Sequence, residues 1–221
     1  MAQGAADLLD RVREELAPRA GENRLIGRIE DGGAPRHVLA ELAAQESRII
    51  VSDRRSFLLL AARCADAPGG DYFAELAAGE AHALTLLEPF AVACGSDLAA
   101  LRARPPLAGC QAYAAYLAWL ALNGDPSGVV LALTANFAAW GDYCATTARA
   151  LRHRYGFDDD ACAFFDFFAT PAPDTDARAL AAVAERQSGI SRAAAAEASE
   201  YGRLLQSYEL MFWNTLADLD G

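Results

Sequence analysis

The 221-residue chain is 53% hydrophobic and carries 30 acidic against 19 basic residues, a formal net charge of −11. A chain of this length can bury a sizeable core, whereas its charge repels phosphate backbones and disfavours nucleic-acid binding. No stretch approaches the roughly 18 to 20 consecutive apolar residues of a membrane span, and residues 1–17 mix acidic and apolar side chains where a signal peptide has a basic start and an apolar middle.

These features predict one domain over residues 1–221, with neither anchor nor leader. The five cysteines, Cys64, Cys94, Cys110, Cys144 and Cys162, are odd in number, widely spaced and without a CxxC pair. That pattern points to reduced thiols in a cytoplasmic protein, with no zinc site and no redox pair.

In chain order, residues 5–16 read as a short amphipathic helix ended by Pro18 and Gly21. Residues 23–29 add a turn of helix before the break at 31–35. A long helix follows over 36–64, with Leu39, Leu42, Ile49, Phe57 and Leu60 on one stripe and the acids Glu46 and Asp53 on that same stripe. An unpaired acid on a buried stripe is costly and is held protonated or paired, whereas one at the stripe's edge is simply solvated. Both readings stand for Glu46; Arg54 and Arg55 beside Asp53 favour solvation there.

Pro68-Gly69-Gly70 reads as the next break, then residues 72–94 as a helix containing His82 and Glu88. Residues 96–102 form a short helix stopped by Pro105-Pro106. Asn-Gly-Asp-Pro-Ser-Gly at 123–128 halts one helix and starts the next. In that next helix Val130, Leu133, Phe137, Cys144, Ala148 and Leu151 make a core-facing stripe, and Ala138, Trp140, Asp142 and Tyr143 lie on a face suited to lining a ligand pocket.

Residues 158–169 open with aspartates that favour a helix N-terminus and continue into Phe164, Phe165, Phe167 and Phe168, a helix buried on several sides. Pro171 and Pro173 end it. Helices over 174–187 and 191–219 complete the chain, the last carrying Leu205, Glu209, Phe212 and Leu216 at three- and four-residue steps. No strand-like alternation occurs, so the fold class is all-α.

Taken in order, GEAHALTLLEPF, the prolines after it, AYAAYL, FAAWGDY and YELMFWNTL resemble the TenA (thiaminase II) family over residues 20–218. The resemblance implies a haem-oxygenase-like helical bundle, a homodimer or homotetramer, and a central pocket in which thiamin or its aminopyrimidine fragments are hydrolysed. The family's last-helix glutamate matches Glu209, and the aromatic after it Phe212. The first tyrosine of its AYxxYL run matches Tyr113, and an aspartate that grips the aminopyrimidine matches Glu46 in AAQES. The family's PCxWxY motif reads FAAWGDY here, and aligning its tryptophan on Trp140 puts Ala138 at the nucleophilic cysteine and Asp142 at a tyrosine. Cys144, six residues on, is rotated by about 240° from Ala138. The WIxxY tyrosine matches Phe168. The usual thiaminase II route is therefore disfavoured.

Three functions are consistent with this reading. The first is acid/base hydrolysis or related proton transfer on a small aromatic or heterocyclic molecule, with Glu209, Glu46 and Asp142 as the catalytic set. Tyr113, Trp140, Tyr143, Phe168 and Phe212 would then form the walls, and neither cofactor nor metal is expected. The second is a non-catalytic metabolite-binding or regulatory protein. The third is a di-iron oxidase using Glu46, Asp53, Asp142 and Glu209, against which His37, His82 and His153 lie at unsuitable positions. For the same reason no haem axial ligand is evident.

Overall fold

Short polar side chains set the helix starts: Asn23, Asp97, Asp125 and Asp158 each accept a backbone N–H from the turn that follows. The structure, a computed structural model, describes residues 2–170, 174–184 and 192–220. Within them run ten α-helices: α1 (Ala2–Leu16), α2 (Arg24–Glu30), α3 (Arg36–Arg63), α4 (Pro68–Ala93), α5 (Leu98–Ala103), α6 (Ala108–Asn123), α7 (Pro126–Tyr155), α8 (Asp159–Ala169), α9 (Thr175–Ala184) and α10 (Arg192–Ala217). No strand occurs among the described residues. The expected helix stops at Pro171 and Pro173, and the helical residues expected at 185–187 and 191, lie outside them.

The predicted turn at 123–128 is present: α6 ends at Asn123, and the Asp125 carboxylate caps α7 by accepting from the N–H groups of Ser127 and Gly128. The α7 helix stops at Gly156, whose φ of 69° is left-handed and suits glycine.

Pro68-Gly69-Gly70 is not the break expected. Pro68 opens α4 at a position where its missing N–H costs nothing, and both glycines are buried in the first turn. The reason is close approach. A Cβ at Gly70 would stand 2.6 Å from the Cys64 carbonyl oxygen, a backbone atom that cannot swing away. Gly70→Ala is expected to lower unfolding stability by about 2 kcal/mol in urea titrations.

The α3 helix runs along α4 and α6, α10 along α6 and α7, and α8 bridges α4 and α7. Two apolar cores result. One gathers Leu39, Leu42, Phe90, Phe164, Phe165 and Trp213; the other gathers Phe57, Phe73, Leu120, Leu131 and Leu205. Between them, Tyr113 contacts both cores, and the acids of α3 and α10 are held inside.

Candidate ligand-binding site

Six helices contribute to a cavity with an empty volume of about 540 Å³, its mouth included. The α3 helix supplies Glu46, Ile49, Ile50 and Asp53; α4 supplies Glu80; α6 supplies Tyr113; α7 supplies Asn136, Phe137 and Trp140; α8 supplies Phe168; and α10 supplies Glu209 and Phe212. Trp140 and Phe168 meet edge to face with centroids 5.7 Å apart. The wall is thus largely aromatic and aliphatic, interrupted by four carboxylates. A second hollow, lined also by Tyr72 and Arg178, shares Glu80, Phe137, Trp140 and Phe168 with it.

The electrostatics follow from burial. Glu46, Asp53 and Glu209 are only 4%, 5% and 5% exposed. Removing a carboxylate from water disfavours its charge. Glu209 is accordingly pushed up to about 8 by burial, with the Asn136 amide and then the Trp213 indole N–H opposing. Glu80 keeps some accessible surface, but that surface is cavity wall, and burial pushes it to about 8 as well. Glu46 rises well above the carboxylate range through burial, then through the charges of Glu80 and Glu209. Asp53 does so through burial, then Glu80 and Glu46.

One side chain organises the Glu209 end. The Asn136 amide donates to Glu209 Oε2 at 2.6 Å and to Gln206 Oε1 at 3.2 Å, and its oxygen accepts from the Tyr113 hydroxyl at 3.1 Å. Glu209 Oε1 has no hydrogen-bond partner, and neither does Asp53 Oδ1. The Trp213 indole N–H, itself outside hydrogen-bond geometry, lies close enough to Glu209 to favour its ionised form, whereas Asp53 Oδ1 has no such neighbour; buried polar atoms are ordinarily satisfied, so that oxygen marks a place where a donor is missing. Among the described residues no three His, Cys, Asp or Glu side chains are grouped to hold a metal ion.

Of the residues singled out in the sequence, Glu46, Glu209, Tyr113, Trp140, Phe168 and Phe212 come together on this wall. Two do not. Asp142 is exposed and faces away, because two residues along a helix from Trp140 is a rotation of about 200°. Tyr143 is buried but turned into the core, its ring 5.8 Å from that of Trp213. Ala138 is exposed for the same reason as Asp142. The α7 side chains that do face the cavity one turn apart are Asn136 and Trp140, so the tryptophan-anchored register is two residues off as a guide to this face.

Cys144 lies one further turn along, fully buried. Burial, with the charges of Glu46 and Glu209, holds its thiol well above the usual range. It is therefore a protonated core residue.

Asp53 also departs from the solvated reading: Arg54 and Arg55 are exposed on other faces of α3, and the acid itself points inward. Sequence adjacency does not imply pairing on a helix, where neighbours diverge by about 100°. Glu80 and Asn136 were not foreseen. Glu80 falls in phase with the buried Phe73, Ala77, Ala83 and Leu87 of α4, a helix whose apolar residues spread over several faces.

An all-α bundle enclosing a cavity beneath its last helix is the haem-oxygenase-like fold. The chain belongs to the TENA/THI-4/PQQC family, which matches residues 24–218. A solved domain of unknown function with that fold from Shewanella denitrificans is similar at a TM-score of 0.72 and 14% identity, covering 97% of this chain and 89% of that one. A TenA homologue from Pseudomonas syringae pv. tomato gives 0.73 and 11%, covering 98% and 92%. One from P. horikoshii OT3 gives 0.70 and 13%, covering 97% and 96%. At such identities the likeness speaks for the fold alone. No curated protein matches the chain. No helix among the described residues is long and apolar enough to cross a membrane.

Proposed function

We propose that the cavity binds a small, flat aromatic or heterocyclic molecule and that Glu209 and Glu46 exchange protons with it, in hydrolysis or a related proton-transfer reaction. One observation carries this reading: Glu209, a buried carboxyl that burial pushes up into the neutral range, lines a largely aromatic hollow. A carboxyl pushed up to about 8 is a proton donor at neutral pH, and once it has given its proton up it is basic enough to take one back from the ligand or from water. Asp142 has no part in this, being outside the cavity. Family membership makes thiamin-related pyrimidines the first compounds to try, although no cysteine lines the cavity to act as the family's nucleophile.

The same lack of a nucleophile favours a second reading, in which the cavity holds a metabolite unchanged. Thermal-shift screening with pyrimidines, thiazoles and indoles, followed by mass spectrometry of the recovered ligand, separates the two. A stabilising ligand converted by the native protein and at least about a hundredfold more slowly by Glu209→Gln supports proton exchange. A ligand recovered intact supports simple binding. Conversion that is indifferent to Glu209→Gln removes Glu209 from the chemistry.

A further inference from the structure

The carboxylates are not all gathered at Glu209. Glu46 and Asp53 lie seven residues apart on α3, two turns along one face, so their backbones are separated by about 10 Å. Glu80 lines the same cavity from α4, and its charge weighs more on both than that of any other acid, whereas Glu209 weighs on Glu46. The acids are thus spread along the cavity, with Glu209 towards Glu46 and Asp53 beyond Glu46 on α3, beside Phe137, Trp140, Phe168 and Phe212.

None of the twelve lining residues is cationic. The nearest arginine in the adjoining hollow, Arg178, is ion-paired with Glu75 and Asp174. Nothing in the wall would balance these acids once ionised.

The Asp53 end has its own sign of a missing group. Asp53 is 5% exposed, lines the cavity, and its Oδ1 has no hydrogen-bond partner. An unpaired buried carboxylate oxygen needs a donor, and neighbouring acids that keep their protons while the cavity is empty give them up to water when a cation takes their place.

Resting on the reading above, we propose that Asp53 and Glu80 form a second subsite that takes an N–H-bearing cationic group, so that the ligand joins a flat ring to a primary ammonium, amidinium or guanidinium. The N–H matters as much as the charge. A quaternary ammonium would offset the acids electrostatically yet leave Asp53 Oδ1 without a donor, whereas charge-assisted N–H···O bonds are the stronger contact. The aromatic residues beside the acids take the ring's faces and edges.

Calorimetric titration of the full chain with 4-phenylbutylamine, 4-phenylbutanol and the N,N,N-trimethyl derivative of the amine tests this, with Asp53→Asn and Glu80→Gln measured alongside. The amine is expected to bind the native protein at least about tenfold more tightly than either the alcohol or the trimethyl compound, with that preference falling below about threefold in each variant. Both variants replace an acid by its neutral isostere and are expected to melt no lower than the native protein at pH 8; should one fail to fold, the other decides. A native protein that binds the three alike, or a preference that survives both substitutions, overturns the subsite while leaving the ring-binding reading in place. If no compound of the series, and none of the screened heterocycles, binds at all, the ring-binding reading itself fails and the subsite with it.

Discussion

The melting temperature is expected to fall by about 10 °C between pH 5.5 and pH 8.5, where most globular proteins are nearly indifferent. Glu80 and Glu209 titrate near 8 in the folded chain against 4.5 when free, and Glu46 and Asp53 are displaced in the same direction. A carboxyl whose folded value is raised holds its proton longer in the native state than in the unfolded one. Its stabilising contribution is complete below about 4.5, declines as the unfolded chain ionises, and is gone once pH passes about 8. With each pH unit of displacement worth about 1.4 kcal/mol per group, several kcal/mol are lost across the window, even discounting relaxation and water entry. For a chain of this size each kcal/mol is about 2 to 4 °C. Below that window the opposite trend enters through Asp176 and Asp218, which Arg13 and Arg24 hold below the usual range, but both pairs are exposed and weak. Glu209→Gln and Glu80→Gln are each expected to raise the melting temperature at pH 8.5 and flatten the profile. A native curve flat over that range contradicts the burial of these acids.

Asn136→Ala is expected to cost about 3 to 5 kcal/mol in denaturant titrations at pH 7, the largest effect of any single substitution at the cavity. Its two polar atoms serve three partners, and removing them leaves Glu209 Oε2, Gln206 Oε1 and the Tyr113 hydroxyl unpaired in a buried setting. Each stranded group carries a desolvation cost of about 1 to 3 kcal/mol, less whatever water the vacated space admits. The loss also removes the contact that opposes the rise at Glu209, so that carboxyl should titrate still higher in the variant. An Asn136→Ala protein as stable as the native one would mean that the amide is not the hub of this cluster.

The fold was open to sequence reasoning because its punctuation is chemical. Asp125-Pro126 following Asn-Gly, the aspartates before α8 and the apolar stripe of α7 say helix and turn without reference to anything distant. Glu46 and Glu209 were legible for a related reason, since an acid repeating in phase with leucines and phenylalanines on one face has to be buried or wasted. What stayed hidden depended on which way a face turns. Asp53 looked solvated because two arginines follow it, and only the helix's rotation separates them. The face of α7 that meets the cavity was misjudged because Trp140 was taken as the anchor of a motif, which drew Asp142 and Tyr143 inward. A two-residue error on a helix reverses the side, so Asp142 sits in solvent and Asn136, amid Leu133, Thr134 and Phe137, went unremarked. Glu80 is in phase with Phe73, Leu76, Leu84 and Leu87, but the alanines between them make α4 apolar on several sides, so no single stripe singles the acid out.

Carbon-13 NMR titration of the glutamate side-chain carboxyls in the free native protein, with Glu209→Gln and Glu80→Gln spectra to assign the resonances, puts the cavity's chemistry most directly in view. Midpoints for Glu209 and Glu80 near 8 are the predicted result. Midpoints for both near 4.5 would mean that these acids are bathed in water, and that the hollow between α3 and α10 is not the secluded acidic chamber described above.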